Sequence, residues 1–294
     1  MTEYVTLENG RIACDVVGDG PLVVLSHGMG TIRQDFRHLV GPLAAAGYRV
    51  VNVDMRGHGE SSMDWPSVTG KPAAISRTDV AQDLLGVIRH FGGPAVIVGH
   101  SLSGGAATIA AAQAPELVTA IAEICPFTLT QKFSVATFLT SRRYRRGQVR
   151  LGLTMGAKSR SAWMRYLDIA YPTKPADQES HLAALDATLR RPGRWEEFMK
   201  TGATTPADAH ACLADVVCPA LVIMGAADPD FADPAAEANA VVAALRPGLG
   251  RVELVDNGGH YPHAQYADRV AAVLLPFLAQ HVARRKEAGT GRTR

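Results

Sequence analysis

The chain is poor in cysteine, in net charge and in long apolar runs, and each shortage excludes a class of protein. Its 294 residues include four scattered cysteines, which match neither a disulfide framework nor a metal-binding motif. A net charge of +2 gives no reason to expect nucleic acid as a partner. No apolar run is long enough to span a bilayer, and the first residues show no signal-peptide pattern. We therefore expect a cytoplasmic globular protein with reduced thiols and no membrane partner.

Strand and helix patterns alternate along most of the chain. Short runs rich in β-branched residues predict strands at 4–7, 11–17, 22–25, 49–53, 95–98, 118–124, 220–224 and 251–255. Helical spacing predicts helices at 36–46, 76–91, 104–113, 234–245 and 267–281. Ser76 has the side chain of a helix N-cap. Such alternation is typical of an α/β fold, in which helices cover both faces of a mostly parallel sheet.

The alternation stops between 127 and 209, where the sequence is helical, aromatic and basic. Open α/β sheets bind ligands outside the carboxyl ends of their strands, so a helical insertion between two strands is placed to cover that edge. We predict a core formed by 1–126 and 210–283, a helical cap at 127–209, and a flexible basic tail at 284–294.

Residues 95–107 read AVIVGHSLSGGAA and predict a strand, a sharp turn and a helix in immediate succession. Ser101 stands at the apex of the turn, where small neighbours let strand and helix approach closely. In this context the serine backbone is strained, its hydroxyl is exposed above the sheet, and the N–H of Leu102 can stabilise an oxyanion. The alternative interpretation is a buried strand and a glycine-rich helix without chemistry.

The stretch resembles the nucleophile elbow of the α/β-hydrolase superfamily, with Ser103 in place of the second glycine of the G-x-S-x-G pattern. The resemblance implies an α/β-hydrolase fold: a mostly parallel eight-stranded sheet, with a helical cap inserted after the sixth strand. It also implies a triad in the order serine, acid, histidine. Asp228 follows a predicted strand in GAADP, and His260 follows the last predicted strand in GGHYP. We therefore predict Ser101, Asp228 and His260 as the catalytic residues.

Two further loops resemble parts of the same superfamily. HGMG at 27–30 resembles its HG loop, which implies that the N–H of Met29 joins that of Leu102 in an oxyanion hole. A glycine-rich turn needed only for packing is the alternative. DMRGHGES at 54–61 resembles the D-x-R-G-H-G-x-S turn, which we interpret as scaffold. There we expect Asp54 to pair with Arg56, and His58 to stabilise the turn.

Other acids and histidines compete for the triad roles. Asp230 also follows the predicted strand 220–224 but departs from the superfamily spacing, so it ranks below the predicted acid. Glu123 and Asp256, in or at the end of strands, are more distant alternatives. Adjacent side chains on an elbow diverge, so His100 is interpreted as structural. His263 is expected to begin the final helix.

The resemblance implies an enzyme, a serine hydrolase that works without a metal or an organic cofactor. We expect it to cleave an ester or lactone bond of a small, mainly apolar molecule through an acyl-serine intermediate. A serine at the elbow argues against the halide- and epoxide-opening branches, which resemble this fold but use an aspartate there. Phe127, Trp163 and Tyr261 are predicted to contact the substrate.

Two other functions stay open at this point. One is hydrolysis of a C–C bond on the same triad without a cofactor, and the other is slow-turnover ligand binding, as in hydrolase-fold hormone receptors. The arginine-rich run at 142–150 is interpreted as a solvated face, with attraction of an acidic substrate or an acyl carrier as the alternative. The sequence leaves open whether the chain forms a homodimer.

Overall fold

Eight strands form one sheet at the centre of the computed structural model, which describes residues 2–70 and 74–282. In chain order they are β1 (Thr2–Leu7), β2 (Gly10–Val17), β3 (Leu22–Ser26), β4 (Arg49–Val53), β5 (Ala95–His100), β6 (Val118–Ile124), β7 (Ala220–Gly225) and β8 (Gly250–Val255). Their order across the sheet is β1-β2-β4-β3-β5-β6-β7-β8. β2 runs antiparallel to β1 and β4, and the other neighbours are parallel. The predicted eight-stranded, mostly parallel sheet is confirmed.

Helices cover both faces of this sheet. They are α1 (Arg37–Ala45), α2 (Arg77–His90), α3 (Leu102–Gln113), α4 (Val135–Thr140), α5 (Arg142–Gly156), α6 (Arg160–Ala170), α7 (Gln178–Leu189), α8 (Arg194–Thr201), α9 (Ala207–Cys212), α10 (Pro234–Ala244), α11 (Pro262–Gln265) and α12 (Ala267–His281). Every residue of β3, β5 and β7 is buried, as expected for parallel strands with helices on both faces. None of the helices in the described ranges is long and apolar enough to cross a membrane.

Within the described ranges a side-chain cap opens five helices, α2, α4, α5, α6 and α10, and one helix start differs from the predictions. The Ser76 side chain accepts from the N–H of Asp79, whose carboxylate accepts from the N–H of Ser76, so a capping box opens α2. The predicted helix at 36–46 is α1, within one residue at each end, and a short 3-10 turn (Arg33–Phe36) precedes it. His263 does not begin the final helix; it lies in α11, which ends where Tyr266 adopts an extended φ of −135°.

Six helices, α4 to α9, connect β6 to β7 in the region that the sequence predicted as a cap. Trp163 and Phe198 from this region pack with Ile32 and Tyr261 from loops of the core in a second apolar cluster. The predicted cap boundary at 209 falls within α9, which packs against α2 and α3. The chain therefore returns to the core before that boundary. The predicted tail at 284–294 lies outside the described residues.

The expected pair between Asp54 and Arg56 was wrong. Asp54 accepts from the backbone N–H of Arg33 at 2.8 Å and forms an ion pair with the Arg33 guanidinium. Arg56 instead donates two hydrogen bonds of 2.7 Å to Asp83 and stacks over the Trp65 ring. The two side chains of the turn are both buried and have different partners. A local sequence pattern could not identify these distant partners.

Candidate active site

Ser101 lies between the last residue of β5 and the first residue of α3, with a φ of 55° and a ψ of −117°. A positive φ is uncommon for a residue with a side chain and is a recurrent form of strain at functional sites. The turn is possible because its neighbours are small. A Cβ on Gly99 would lie 2.2 Å from the Ser103 carbonyl oxygen, and a Cβ on Gly28 would lie 2.8 Å from Ser101 Cβ.

Ser103, the departure from the elbow pattern, has a structural explanation. Its buried hydroxyl donates to the carbonyl oxygen of His27 at 2.6 Å and lies 2.8 Å from Ser26 Oγ. The serine therefore fastens the first turn of α3 to the loop that follows β3. This loop contains the predicted oxyanion residue Met29.

Replacement of Gly99 with alanine should destabilise the protein by about 3 kcal/mol or more, because the added methyl group meets backbone atoms that cannot move without distorting the elbow. Urea unfolding measures the change in free energy of unfolding. The matched control is Gly152→Ala, at an exposed position inside α5, where nothing lies within 4 Å of the added carbon. That variant should gain about 0.5–1 kcal/mol. Wild-type stability of Gly99→Ala would show that strand and helix do not approach this closely.

The structure brings the predicted acid and base together. His260 Nδ1 donates to Asp228 Oδ2 at 2.7 Å, and both side chains are buried. Asp228 follows β7 and His260 follows β8, so the two parallel strands deliver them to the same edge of the sheet. The backbone of His260 is held at both ends. Its N–H donates to the carbonyl oxygen of Ala170, and its own carbonyl oxygen accepts from His100 Nε2 at 2.8 Å.

Ser101 is tied to the histidine loop through its neighbours. The carbonyl oxygen of Ser101 accepts from the N–H of Phe127, and the Phe127 ring meets His260 edge-on with centroids 5.8 Å apart. The ring of His100, the residue before the serine, contacts the His260 ring, with centroids 4.8 Å apart. Among the residues that the structure describes, none forms a hydrogen bond with Ser101 Oγ. The direct link from Ser101 to His260 therefore stays a prediction.

The loop at 27–30 is fixed by three contacts. His27 Nε2 accepts from the N–H of Met55, and His58 Nε2 accepts from the N–H of Gly30, each at 3.1 Å. Trp163 Nε1 donates to the carbonyl oxygen of Gly30 at 3.1 Å. Within the described ranges, the N–H groups of Met29 and Leu102 donate no hydrogen bond to the protein. An oxyanion hole requires unpaired N–H groups beside the nucleophile, and this role of Met29 and Leu102 stays a prediction.

Electrostatics distinguish the acids near the base. Burial alone would keep His260 neutral, but the charges of Asp228 and Asp230 outweigh it and raise the pKa of His260 to about 9. Asp230 Oδ2 lies 3.5 Å from His260 Nδ1, farther than Asp228 Oδ2. Burial and the charge of Asp228 raise the pKa of Asp230 to about 7. Asp228 therefore has the geometry of the triad acid, and Asp230 is a second carboxyl group beside it.

The remaining alternatives lie elsewhere. Glu123 is buried in β6 and accepts from Thr128 at 3.1 Å, and burial raises its pKa to about 7. Asp256 is exposed and pairs with Arg269 at 3.2 Å. His263 stacks on the ring of Phe36 with centroids 4.7 Å apart. None of the three carboxyl or imidazole groups contacts the His260–Asp228 pair through a hydrogen bond in the described structure.

The three predicted substrate contacts differ in exposure. Phe127 is half-buried beside His260 and packs against Phe231 with centroids 5.2 Å apart. Trp163 and Tyr261 are each 1% exposed. Trp163 lies against the loop at 27–30, and Tyr261 stacks on Tyr171 at 4.5 Å. Substrate contact by these residues stays a prediction.

Sequence analysis missed one residue of this site. The phenol of Tyr166, in α6, donates to Asp230 Oδ2 at 2.6 Å. The spacing of Trp163 and Tyr166 on a helix indicates packing, and no local signal links Tyr166 to a loop 64 positions away.

Three possible metal-ligand atoms, from Asp35, His100 and His263, lie within 4.8 Å of one another beneath the site. Asp35 Oδ1 binds His181 Nε2 at 2.9 Å and His100 Nε2 binds the backbone of His260, whereas Asp35 Oδ2, His100 Nδ1 and both His263 nitrogens are buried without a hydrogen-bond partner among the described residues. Burial lowers the pKa of His263 to about 3, so its imidazole is neutral. We assign no ion to this cluster, and the expectation that the protein needs no metal stays a prediction.

Comparison with known proteins gives the class. Residues 23–273 match the model of the alpha/beta hydrolase family. The chain is 30% identical over 262 residues to 2-(acetamidomethylene)succinate hydrolase of Mesorhizobium japonicum, with 86% of each chain covered. It is 32% identical over 268 residues to a pimeloyl-[acyl-carrier protein] methyl ester esterase of Xanthomonas campestris pv. campestris, which covers 90% of this chain and 98% of the relative. The enol-lactonase from Burkholderia xenovorans LB400 superposes with a TM-score of 0.69 at 19% identity, over 94% of this chain and all of that one.

The chain therefore belongs to the alpha/beta hydrolase family. It is an α/β-fold hydrolase, and its relatives include hydrolases and esterases. The fold predicted from the elbow is confirmed. The likeness to the lactonase, at its low identity, shows the shared fold alone.

Proposed function

We propose that the protein hydrolyses an ester or lactone bond of a small, mainly apolar molecule. Ser101 is the nucleophile, His260 the base, and Asp228 the acid that orients the base. The observation that carries this proposal is the strained serine at the start of α3, together with a buried, hydrogen-bonded histidine and aspartate from the loops after β8 and β7. Such a constellation activates a hydroxyl that is otherwise a weak nucleophile.

The proposed chemistry is acyl transfer through Ser101. Ser101 Oγ attacks the carbonyl carbon while His260 Nε2 takes the hydroxyl proton, and the N–H groups of Met29 and Leu102 hold the oxyanion. His260 then gives the proton to the leaving alkoxide, and an acyl-serine remains. Water attacks the acyl carbon as His260 accepts its proton. The carboxylic acid leaves, and the proton returns to Ser101.

The surroundings of the base support a mainly apolar substrate. The half-buried Phe127 meets the His260 ring edge-on and packs against the buried Phe231. Burial raises the pKa of the Cys125 thiol well above its usual range, so it is no rival nucleophile. All four cysteines are free thiols, which supports the proposal of a reducing, cytoplasmic location.

A fluorophosphonate probe tests this function without knowledge of the substrate. We expect one adduct per chain, which peptide mapping locates on Ser101. Absence of labelling in the folded protein, or an adduct on Ser103, would contradict the proposal.

A substrate panel then separates the alternatives. We expect sustained turnover of short-chain esters or lactones. Turnover of a C–C substrate in preference to both would favour C–C hydrolysis on the same triad. A single slow turnover that leaves the ligand attached would favour a receptor-like role.

A further inference from the structure

Two carboxyl groups face one ring nitrogen in this site, and the proposed triad uses only one of them. His260 Nδ1 lies 2.7 Å from Asp228 Oδ2 and 3.5 Å from Asp230 Oδ2. The N–H of Asp230 donates to Asp228 Oδ1 at 2.9 Å, so the loop after β7 holds both side chains in one arrangement. Asp230 is 3% exposed. A buried carboxyl group at this distance acts on the charge of the imidazole.

The carboxyl oxygen of Asp230 that lies near His260 is also bound by a residue of the helical insertion. Tyr166, on α6, is 1% exposed and donates to Asp230 Oδ2 at 2.6 Å. A phenol that donates to a carboxylate stabilises the ionised form of that carboxylate. Asp230 Oδ1 is buried and, among the described residues, has no hydrogen-bond partner. The group is therefore costly to keep charged, and its proximity to a base that becomes a cation during catalysis offsets that cost.

We propose that Asp230 is a positioning residue whose carboxylate, held by Tyr166, stabilises the imidazolium of His260 and so strengthens the base and moves its working range to higher pH. The proposal rests on the function proposed above, in which His260 takes the proton of Ser101. Asp228 orients the ring through the short hydrogen bond, and Asp230 adds a second negative charge. Neither group transfers a proton to the substrate.

The charges around the pair agree with this role. The titratable or charged groups that face Asp230 or His260 are Asp228 and Asp35, Arg143 of α5, Tyr166 of α6, Cys125 after β6, His100 of β5, and Tyr261 and His263 near α11. Burial keeps the two other histidines neutral by lowering their pKa, and keeps the tyrosines and the thiol neutral by raising theirs.

The cation of this set, Arg143, is not paired directly with the carboxylates. Arg143 donates to the carbonyl oxygens of Phe231 and Ala232 rather than to Asp228 or Asp230. It moderates the negative charge without neutralising either group directly. The two aspartates therefore act mainly on His260, whose pKa they raise to about 9, while the pKa of Asp230 itself is near 7.

The expected pH dependence follows from the sign of these shifts. Above about pH 7 Asp230 is ionised, and its charge favours protonated His260. The unprotonated base, and with it the reaction of Ser101, should therefore increase as the pH rises toward 9. In Asp230→Asn the extra charge is absent, so His260 loses its proton at a lower pH. The acidic limb of the pH–rate profile should then move down by about one unit or more.

The test measures the rate constant of fluorophosphonate inactivation between pH 5 and 10 for wild type, Asp230→Asn and Tyr166→Phe. Tyr166→Phe removes the donor that stabilises the Asp230 charge, so it should shift the limb in the same direction by less. The matched control is Asp233→Asn, an exposed position of the same loop where asparagine can still cap α10. The control profile should coincide with wild type. An Asp230→Asn profile with an unshifted limb would overturn the proposal, even if the rate falls at every pH.

Titration of His260 by NMR separates this proposal from the function on which it rests. The His260 resonance is assigned by its loss in His260→Gln, and its midpoint should lie at lower pH in Asp230→Asn than in wild type. If Ser101 fails to react with the probe but the midpoint still shifts, the proposed hydrolysis fails and the role of Asp230 stands. If Ser101 reacts and the midpoint does not shift, the hydrolysis stands and the role of Asp230 is refuted. Should Asp230→Asn not fold, the Tyr166→Phe midpoint decides.

Discussion

Ser101→Ala should lower kcat/KM for ester hydrolysis by about 10⁴-fold or more, because the acyl-serine can no longer form. The fold should survive, since alanine tolerates the φ of 55° no worse than serine does. The measurement is steady-state kinetics on the best ester of the panel, with the free energy of unfolding determined in urea. Activity within tenfold of wild type would rule out Ser101 as the nucleophile.

Ser103→Ala is the matched control, since it removes the other hydroxyl of the elbow. Ser103 contacts the carbonyl oxygen of His27 and the hydroxyl of Ser26, and it does not face the proposed base. We expect a loss of stability of about 1–2 kcal/mol from the broken buried hydrogen bonds, with labelling of Ser101 retained. Loss of labelling in this variant alone would move the nucleophile to Ser103.

Asp228→Asn should reduce kcat by about 10³- to 10⁴-fold while the protein stays folded. An asparagine of the same shape can present its NH₂ to His260 Nδ1, which then cannot remain a donor, so the proton moves to the ring nitrogen that must serve as the base. Asp228 is fully buried, and its carboxylate makes the 2.7 Å bond to that ring. The kinetics of this variant and its rate of fluorophosphonate labelling should fall in parallel.

Asp256→Asn provides the control for the loss of one carboxylate at a strand end. Asp256 follows β8 but is exposed and pairs with Arg269, so this change should leave kcat within about twofold of wild type.

If Asp228→Asn kept most of its activity and Asp230→Asn lost it, the orienting acid would be Asp230. The double variant Asp228→Asn/Asp230→Asn should be slower than Asp228→Asn alone. In the single variant the carboxylate of Asp230 still lies near His260, and the double variant lacks it.

The central features of the fold could be predicted from sequence because they depend on local patterns. Buried parallel strands appear as short runs of β-branched residues, and the capping box at Ser76 begins α2 where the N-cap signal stood. The elbow at Ser101 combines three consecutive patterns, a strand, a sharp turn and a helix. This combination identified the superfamily. The helix start that differed, at His263, depends on a backbone break at Tyr266 that a helical apolar pattern does not show.

Partners distant in sequence could not be predicted in the same way. Asp54 and Arg56 carry opposite charges two positions apart, yet one pairs with Arg33 and the other with Asp83. Which charges meet depends on which parts of the chain pack against each side chain, and these parts are distant in sequence. Tyr166 and Asp230 illustrate the same limit, since a helix of the insertion and a loop of the core must come together before they can meet.

The sequence by itself therefore determined the class of this protein: the sheet, the elbow, and the order in which a serine, an acid and a histidine follow successive strands. These are properties of short segments, whose propensities and turn chemistry act within a few residues. Only the tertiary structure decided how His260 is surrounded. Its Nδ1 lies 2.7 Å from Asp228 Oδ2 and 3.5 Å from Asp230 Oδ2, and Tyr166 binds Asp230. Desolvation and charge in a buried site depend on every element that packs around it, and the chain has no such environment until it is folded.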